Sequence, residues 1–372
     1  NEVSKMIPNA DNDKKEELLK EMGKVKEELK TLEPQSQEFD KELDELVLSV
    51  PNPPLESVPK GANEEDNEIL KTIGEKPKFD FEPRDHMELG TALDIIDMER
   101  GVRTSGSRFY YLKNEAVLLE FALVQHVVNK LTSKGFSPIL PPLLVKEEAM
   151  YATGFFPADR NEIYNVNPQD DNLFLIGTSE VPLTMLHATE ILDHDKLPLH
   201  YCGFSPCFRR EAGSYGKDTA GIIRVHQFDK IEMFSFCHPD KSEEEHELIL
   251  SIEEEIMQEL GFHYQVVNIC GGDLGAPAAK KYDIEVWIPT QEKFRELTSC
   301  SNCTDYQSRR AKIKYTADGK KEYLHTLNGT AIAIARTLVA ILENYQKADG
   351  SVEIPEVLQP YMGGRTEIKP KA

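Results

Sequence analysis

This chain has little of what would mark a membrane-spanning, secreted or nucleic-acid-coating protein. No apolar run approaches the ~20 residues that a membrane helix requires. The first residues, Asn1-Glu2-Val3-Ser4-Lys5, include neither a Met nor the apolar stretch of a signal peptide. Cysteine is sparse: six in 372 residues, at 202, 207, 237, 270, 300 and 303, without disulfide-framework spacing. That scatter favours a reducing compartment, here the cytoplasm. Cys300-Ser-Asn-Cys303 is half of a zinc ligand set, but no second pair or histidine stands at suitable spacing. Packing of both thiols behind a strand is the preferred reading. Net positive charge is missing too. A formal charge of −22 argues against indiscriminate binding to nucleic acid, because phosphate contacts need positive potential. Local patches remain: Arg309, Arg310, Lys312 and Lys314, then Lys320 and Lys321, are readable as RNA contacts or as solvated charge.

What is present is an ordinary globular composition, 40% apolar and 29% charged, at a length that allows two or three domains. Leu18, Met22, Val25, Leu29 and Leu32, then Phe39, Leu43, Leu46 and Val50, alternate spacings of three and four, with Ser36 filling one slot. This is a coiled-coil ladder, and so narrow a stripe needs a partner helix. Pro34 is expected to kink it. A proline-rich linker over 51–68 marks a boundary after the helical segment 1–50. Beyond it, Glu115–Lys134 reads as a helix closed by Gly135, and Phe136–Val145 as a strand. Asp240 is positioned to cap a helix running to about Leu260. Strands are expected over His263–Ile269, Tyr282–Ile288 and Phe294–Ser299. Apolar segments separated by hairpin loops, with helices between them, indicate an α+β domain around an antiparallel sheet.

The most informative stretch is Pro206–Phe234. It places Arg209 and Glu211 before a Gly-rich turn, and Arg224, Phe228 and Glu232 after it. That order suits a strand, a hairpin and a return strand. A guanidinium fits phosphate, an aromatic face fits a base, and a carboxylate accepts from an amine or hydroxyl, so the set suits a nucleotide. Three more segments draw attention: Gly-Thr-Ser-Glu-Val-Pro-Leu at 177–183, Phe-Arg-Glu-Leu-Thr-Ser-Cys-Ser-Asn-Cys at 294–303, and His-Thr-Leu-Asn-Gly-Thr-Ala-Ile-Ala-Ile-Ala-Arg at 325–336. In the second of these, Glu296 and Ser299 offer oxygen ligands to a hard cation.

Pro206–Phe234 resembles motif 2 of class II aminoacyl-tRNA synthetases. From about Pro51 to Gly364 the chain resembles the seryl-tRNA synthetase family of that class. The segment at 177–183 is similar to the family's amino-acid loop, that at 294–303 to its metal and ATP strand, and that at 325–336 to its motif 3. The helix and strand at 115–145, with Pro141, resemble motif 1. The resemblance implies a class II catalytic domain over 69–372 and a homodimer formed through motif 1. The ladder resembles the returning helix of the family's N-terminal tRNA-binding hairpin, with most of the outgoing helix missing from this chain.

The resemblance also implies roles. The reaction is activation of L-serine by ATP to seryl-adenylate, then transfer to the 3′-terminal adenosine of tRNA(Ser). Arg209, Glu296 and Arg336 would carry the catalysis, Arg209 on the α-phosphate and the serine carboxylate. Serine would be bound by Thr178, Glu180, Arg209, Glu232, Asn328 and Thr330. ATP would be bound by Arg209, Glu211, Val225, Phe228, Glu296, Leu297, Thr298, Ser299 and Arg336, with Phe228 and Arg336 on opposite faces of adenine. Glu296 and Ser299 would hold Mg2+. The loop Gly213, Ser214, Tyr215 and Gly216 would meet the tRNA acceptor end. Ala331 and Ala333 depart from the class's alternating glycines, and Thr330 stands where many members carry serine. Two other readings compete: a seryl-adenylate-forming paralogue that loads a carrier-protein thiol, and a non-catalytic regulatory relative. The latter would be expected to have lost Arg209, Glu296 or Arg336, and all three are present.

Overall fold

The structure is a computed structural model that describes residues 11–212, 221–317 and 319–371. Contacts divide the chain into two units at Val50/Pro51. The proposed acceptor loop Gly213–Gly216 lies outside the described residues.

The described residues of the first unit form one helix, α1 (Asn12–Ser49), opened by Asp11, whose carboxylate accepts from the Lys14 N–H at 3.0 Å. It runs through Pro34 without a break. The ladder is exposed along it, with Leu32, Phe39, Leu43 and Leu46 each more than half accessible. A helix of 38 residues with such a stripe is not stabilised by its own packing.

The second unit is built on an eight-stranded sheet. The sheet strands and the helices that position the site are, in chain order, β1 (Glu68–Ile73), α2 (His86–Ala92), α3 (Glu115–Ser133), β2 (Ser137–Ile139), α4 (Glu180–Met185), β3 (Leu199–Phe208), β4 (Gln227–Cys237), α5 (Ser242–Glu259), β5 (Tyr264–Asn268), β6 (Lys280–Ile288), β7 (Lys293–Asn302), β8 (His325–Ala333) and α6 (Ile334–Asn344). The strand order is β1-β5-β6-β7-β8-β4-β3-β2. All neighbours are antiparallel except β2 and β3.

Alternation along β4 explains how one strand serves two faces. Ile231 and Met233 enter the main core with α3, α5 and α6, while Phe234 and Phe236 join a second cluster with Leu183, Ile313 and Leu324. Phe228, Lys230 and Glu232 fall between, on the face opposite Ile231 and Met233.

Two expectations need correction. The strand over Phe136–Val145 is two short strands in different sheets, β2 and Leu144–Val145. Pro138, Pro141 and Pro142 remove the N–H donors that a continuous ladder would use. Asp240 does not cap α5. It sits inside a 3-10 turn, Pro239–Lys241, and α5 starts from Lys241 without a side-chain cap. The contact boundary falls at the start of the 51–68 stretch, which is hydrogen-bonded within the second unit. Asn52 donates its amide to the carbonyls of Pro277 at 2.9 Å and Cys303 at 2.8 Å, and Leu55 N–H donates to Ala279 at 2.8 Å.

The core contains one carboxyl with a consequence for stability. Glu253 of α5 is fully buried, accepts from Thr298 Oγ1 at 3.1 Å, and its other oxygen has no partner among the described residues. Burial pushes it well above the usual carboxylate range. The folded chain therefore keeps a proton that the unfolded chain releases above about pH 4.5. Stability is lost as pH rises from there toward the folded pKa. Glu253→Gln removes that proton linkage. Its unfolding free energy should gain on the parent's as pH rises, with a slope of at most about 1.4 kcal/mol per pH unit, and its melting temperature should rise relative to the parent's accordingly. Parallel melting curves across pH 5–8 would refute the assignment.

Candidate active site

Two departures from regular pairing aim side chains into one cavity. Along β7, Ile284 and Glu285 of β6 face Thr298 and Glu296, so Leu297 is an extra residue. A spacing of three normally puts residues on opposite faces of a strand. The bulge at Leu297 instead brings Glu296 and Ser299 to the same side. Along β8, Ile231 and Glu232 of β4 face Ile332 and Thr330, so Ala331 is extra, and Thr330 and Ala333 both line the cavity. Its volume is about 400 Å³.

At one end lies a set of paired acceptors. Glu180, at the start of α4, takes amide N–H groups from Gln307 at 2.6 Å and Asn328 at 3.0 Å on the same oxygen. Burial, and next the nearby Glu232 carboxylate, push Glu180 up to about 7. Glu232 accepts from Thr330 Oγ1 at 3.3 Å and is in close contact with the Lys230 ammonium. Lys230 also donates to Thr178 Oγ1 at 2.8 Å.

Arg209 stands at the middle. It follows β3 directly, and its main-chain N–H donates to the His226 carbonyl at 3.0 Å while the His226 ring Nδ1 lies 2.9 Å from the Arg209 carbonyl, so the hairpin continues past the strand ends. Its Nε donates to the Gly177 carbonyl at 3.2 Å, and its guanidinium carbon is 5.3 Å from the centre of the Phe228 ring. Glu211, at φ 52°, accepts from Arg224 Nε at 2.8 Å.

At the far end, Arg336 in the first turn of α6 donates to the Glu296 carbonyl at 2.8 Å and lies 3.4 Å from its carboxylate. Burial would raise the Glu296 carboxyl, but Arg336, Lys281 and Arg209 together hold it down at about 2. Its side chain is 43% exposed, so the cations outweigh a partial burial. The carboxylate is ionised at any physiological pH. An ionised carboxylate beside the Ser299 hydroxyl is a hard oxygen pair, suited to a cation that takes its remaining ligands from phosphates and water.

Of the expected residues on described segments, all but Thr298 line this cavity. Alternation turns the Thr298 hydroxyl to the helix side, onto Glu253, leaving only its main chain for a ligand. Cys300 and Cys303 are free and buried, and burial raises both thiols far above their ordinary range. Sequence reasoning missed Lys230, Lys281 and Gln307. Lys230 was within reach, since it shares the β4 alternation with Phe228 and Glu232.

The second unit thus gathers, in one cavity, the cation, ring and carboxylates that the four sequence segments supply. The comparisons agree with that arrangement. Residues 164–345 match the tRNA synthetase class II core domain (G, H, P, S and T), and residues 1–54 match the seryl-tRNA synthetase N-terminal domain. The chain is 50% identical to serine–tRNA ligase 1 of Streptomyces avermitilis, over 100% of its own length and 87% of the relative's.

The chain belongs to the seryl-tRNA synthetase family.

The fold agrees at the level of coordinates. A seryl-tRNA synthetase from Pyrococcus horikoshii complexed with ATP superposes with a TM-score of 0.94 at 43% identity, covering 100% of this chain and 87% of that one. A cytoplasmic serine–tRNA ligase from Naegleria fowleri in complex with AMP gives 0.89 at 40% identity, covering 95% and 76%. As a family member, this chain has the class II antiparallel sheet and a helical N-terminal segment.

Proposed function

We propose that this chain activates L-serine with ATP and transfers the seryl group to the 3′-terminal adenosine of tRNA(Ser). The observation that carries this reading is the position of Arg209 in one cavity, with buried carboxylates toward one end and Phe228, Glu296 and Arg336 toward the other. The serine carboxylate attacks the α-phosphate and pyrophosphate leaves. Arg209 offers a planar fork to both reacting anions, holding them in line and offsetting their repulsion. Glu180 and Glu232 receive the ammonium and the side-chain hydroxyl. Alanine would leave a buried acceptor unpaired, which a site can reject by ~10⁴-fold. Phe228 and Arg336 take the two faces of adenine, with Glu211 as acceptor of its amino group. Glu296 and Ser299 would hold magnesium, which, when bound, neutralises polyphosphate charge.

The reading extends to assembly and place. Phe121 on α3 is 62% exposed and Leu140, just past β2, 80% exposed, an apolar face suited to a second copy through motif 1. Sedimentation at the mass of one chain, 42.2 kDa, would remove the dimer. No helix among the described residues is long and apolar enough to cross a membrane, and we place the enzyme in the cytoplasm.

ATP–pyrophosphate exchange with serine, threonine, alanine, glycine and cysteine as separate substrates, with magnesium and without tRNA, tests the reaction. Exchange with serine alone is expected. No exchange with any of them, in folded protein, would favour the regulatory relative. Seryl transfer to phosphopantetheine without tRNA dependence would favour the carrier-protein paralogue.

A further inference from the structure

The return of the motif 2 hairpin is anchored by a buried chain of hydrogen bonds that lies outside the cavity. His86, the first residue of α2, is 5% exposed and Glu343, near the end of α6, is fully buried. His86 Nδ1 is 2.8 Å from Glu343 Oε1, which also accepts the His86 main-chain N–H at 3.2 Å. The other Glu343 oxygen accepts from Thr290, from its hydroxyl at 2.5 Å and its N–H at 3.3 Å. A carboxylate can only accept, so Nδ1 carries the proton. That leaves Nε2 as an acceptor, and the main-chain N–H of Ile222 donates to it at 3.2 Å.

Two features make this contact specific to position. Gly221 has φ 76°, and a Cβ there would lie 1.9 Å from His86 Nε2, so the backbone approaches the ring as no other residue type would allow. The residues that follow, Ile223, Arg224 and Val225, all line the cavity, and Arg224 holds Glu211. The chain Thr290–Glu343–His86–Ile222 therefore ties α6, which carries Arg336, to the segment that delivers Arg224 and Val225.

We propose that His86 is a positioning residue for the adenine side of the ATP site, acting through the Ile222 main chain, with Glu343 fixing its tautomer. This rests on the ATP reading above. His86 does not line the cavity, and its effect is on where Arg224, Val225 and Glu211 stand when the nucleotide arrives.

Isosteric replacements separate this role from general packing. Gln places its amide where Nε2 lies and can still accept from Ile222. Asn reaches only the Nδ1 position and can satisfy Glu343 but not Ile222. Gly221→Ala keeps His86 and drives a methyl into the same contact. Calorimetry with ATP alone, and hydrogen–deuterium exchange over 221–228, read the outcome. In His86→Asn and Gly221→Ala, ATP affinity should fall about tenfold and exchange over 221–228 should rise. In His86→Gln both should stay near the parent. Equal losses in the Gln and Asn variants, or unchanged exchange in His86→Asn, would overturn the proposal. A parent that binds no ATP, while the exchange pattern follows expectation, would overturn the ATP reading and leave the anchoring in place.

Discussion

Arg209→Ala should abolish serine-dependent ATP–pyrophosphate exchange, by about 10³-fold or more, with the melting temperature little changed. The fold does not lean on this guanidinium. Among the described residues the guanidinium donates to protein only from Nε, to the Gly177 carbonyl, and its other face looks onto Phe228 across 5.3 Å. The terminal nitrogens are thus left for a ligand. Both reactants carry negative charge at the atoms that must meet, and no neutral side chain can offset that repulsion at close range. Lys230 lies in the same cavity, but it is already engaged with Glu232 and Thr178. It cannot take over without releasing two buried acceptors. Arg209→Lys should recover only part of the rate, because an ammonium offers a point charge where a bidentate fork is required. Normal turnover in Arg209→Ala would break the phosphate assignment and, with it, the account of how the cavity works.

Much of this was legible because the chemistry is local in sequence. Arg209, Glu211, Phe228 and Glu232 fall within one hairpin, and period-two alternation alone assigns them to faces. The antiparallel α+β class followed from strand and hairpin spacing. What alternation could not show is a bulge. Glu296 and Ser299, three apart on a strand, would be assigned to opposite faces by periodicity, and only the extra residue Leu297 brings them together. The same effect hid the departure at Thr298, whose hydroxyl belongs to α5. Gln307 was invisible for another reason: it comes from a short helix, Tyr306–Ala311, and its role depends on a contact with Glu180, 127 positions away. The His86–Glu343 pair spans 257 positions and carries no sequence signal at all. Pro138, Pro141 and Pro142 are plain in the sequence, but their consequence, a strand broken between two sheets, depends on which neighbours need the missing donors.

Glu296→Gln should lower exchange by about 10²-fold and raise the magnesium concentration needed for half-maximal rate. The substitution preserves shape, and it preserves the main-chain carbonyl that Arg336 uses at 2.8 Å, so the arginine keeps one of its two contacts. What it removes is a negative charge held among three cations. The sign of the pH effect follows from the same surroundings. Glu296 is held at about 2, so it stays ionised from pH 5 to 9 and cannot be the group that shapes activity across that window. Glu180, raised by burial to about 7, can. As pH falls through 7, Glu180 gains a proton and loses its attraction for the substrate ammonium, so KM for serine should rise on the acid side. That rise should persist in Glu296→Gln and vanish in Glu180→Gln, whose KM should be high at every pH. Two carboxylates in one cavity, one kept charged by cations and the other brought near neutrality by burial, thus separate the metal and nucleotide end from the amino-acid end by their titration. If the acid-side rise instead disappears in Glu296→Gln while Glu180→Gln retains it, the assignment of the two ends is reversed.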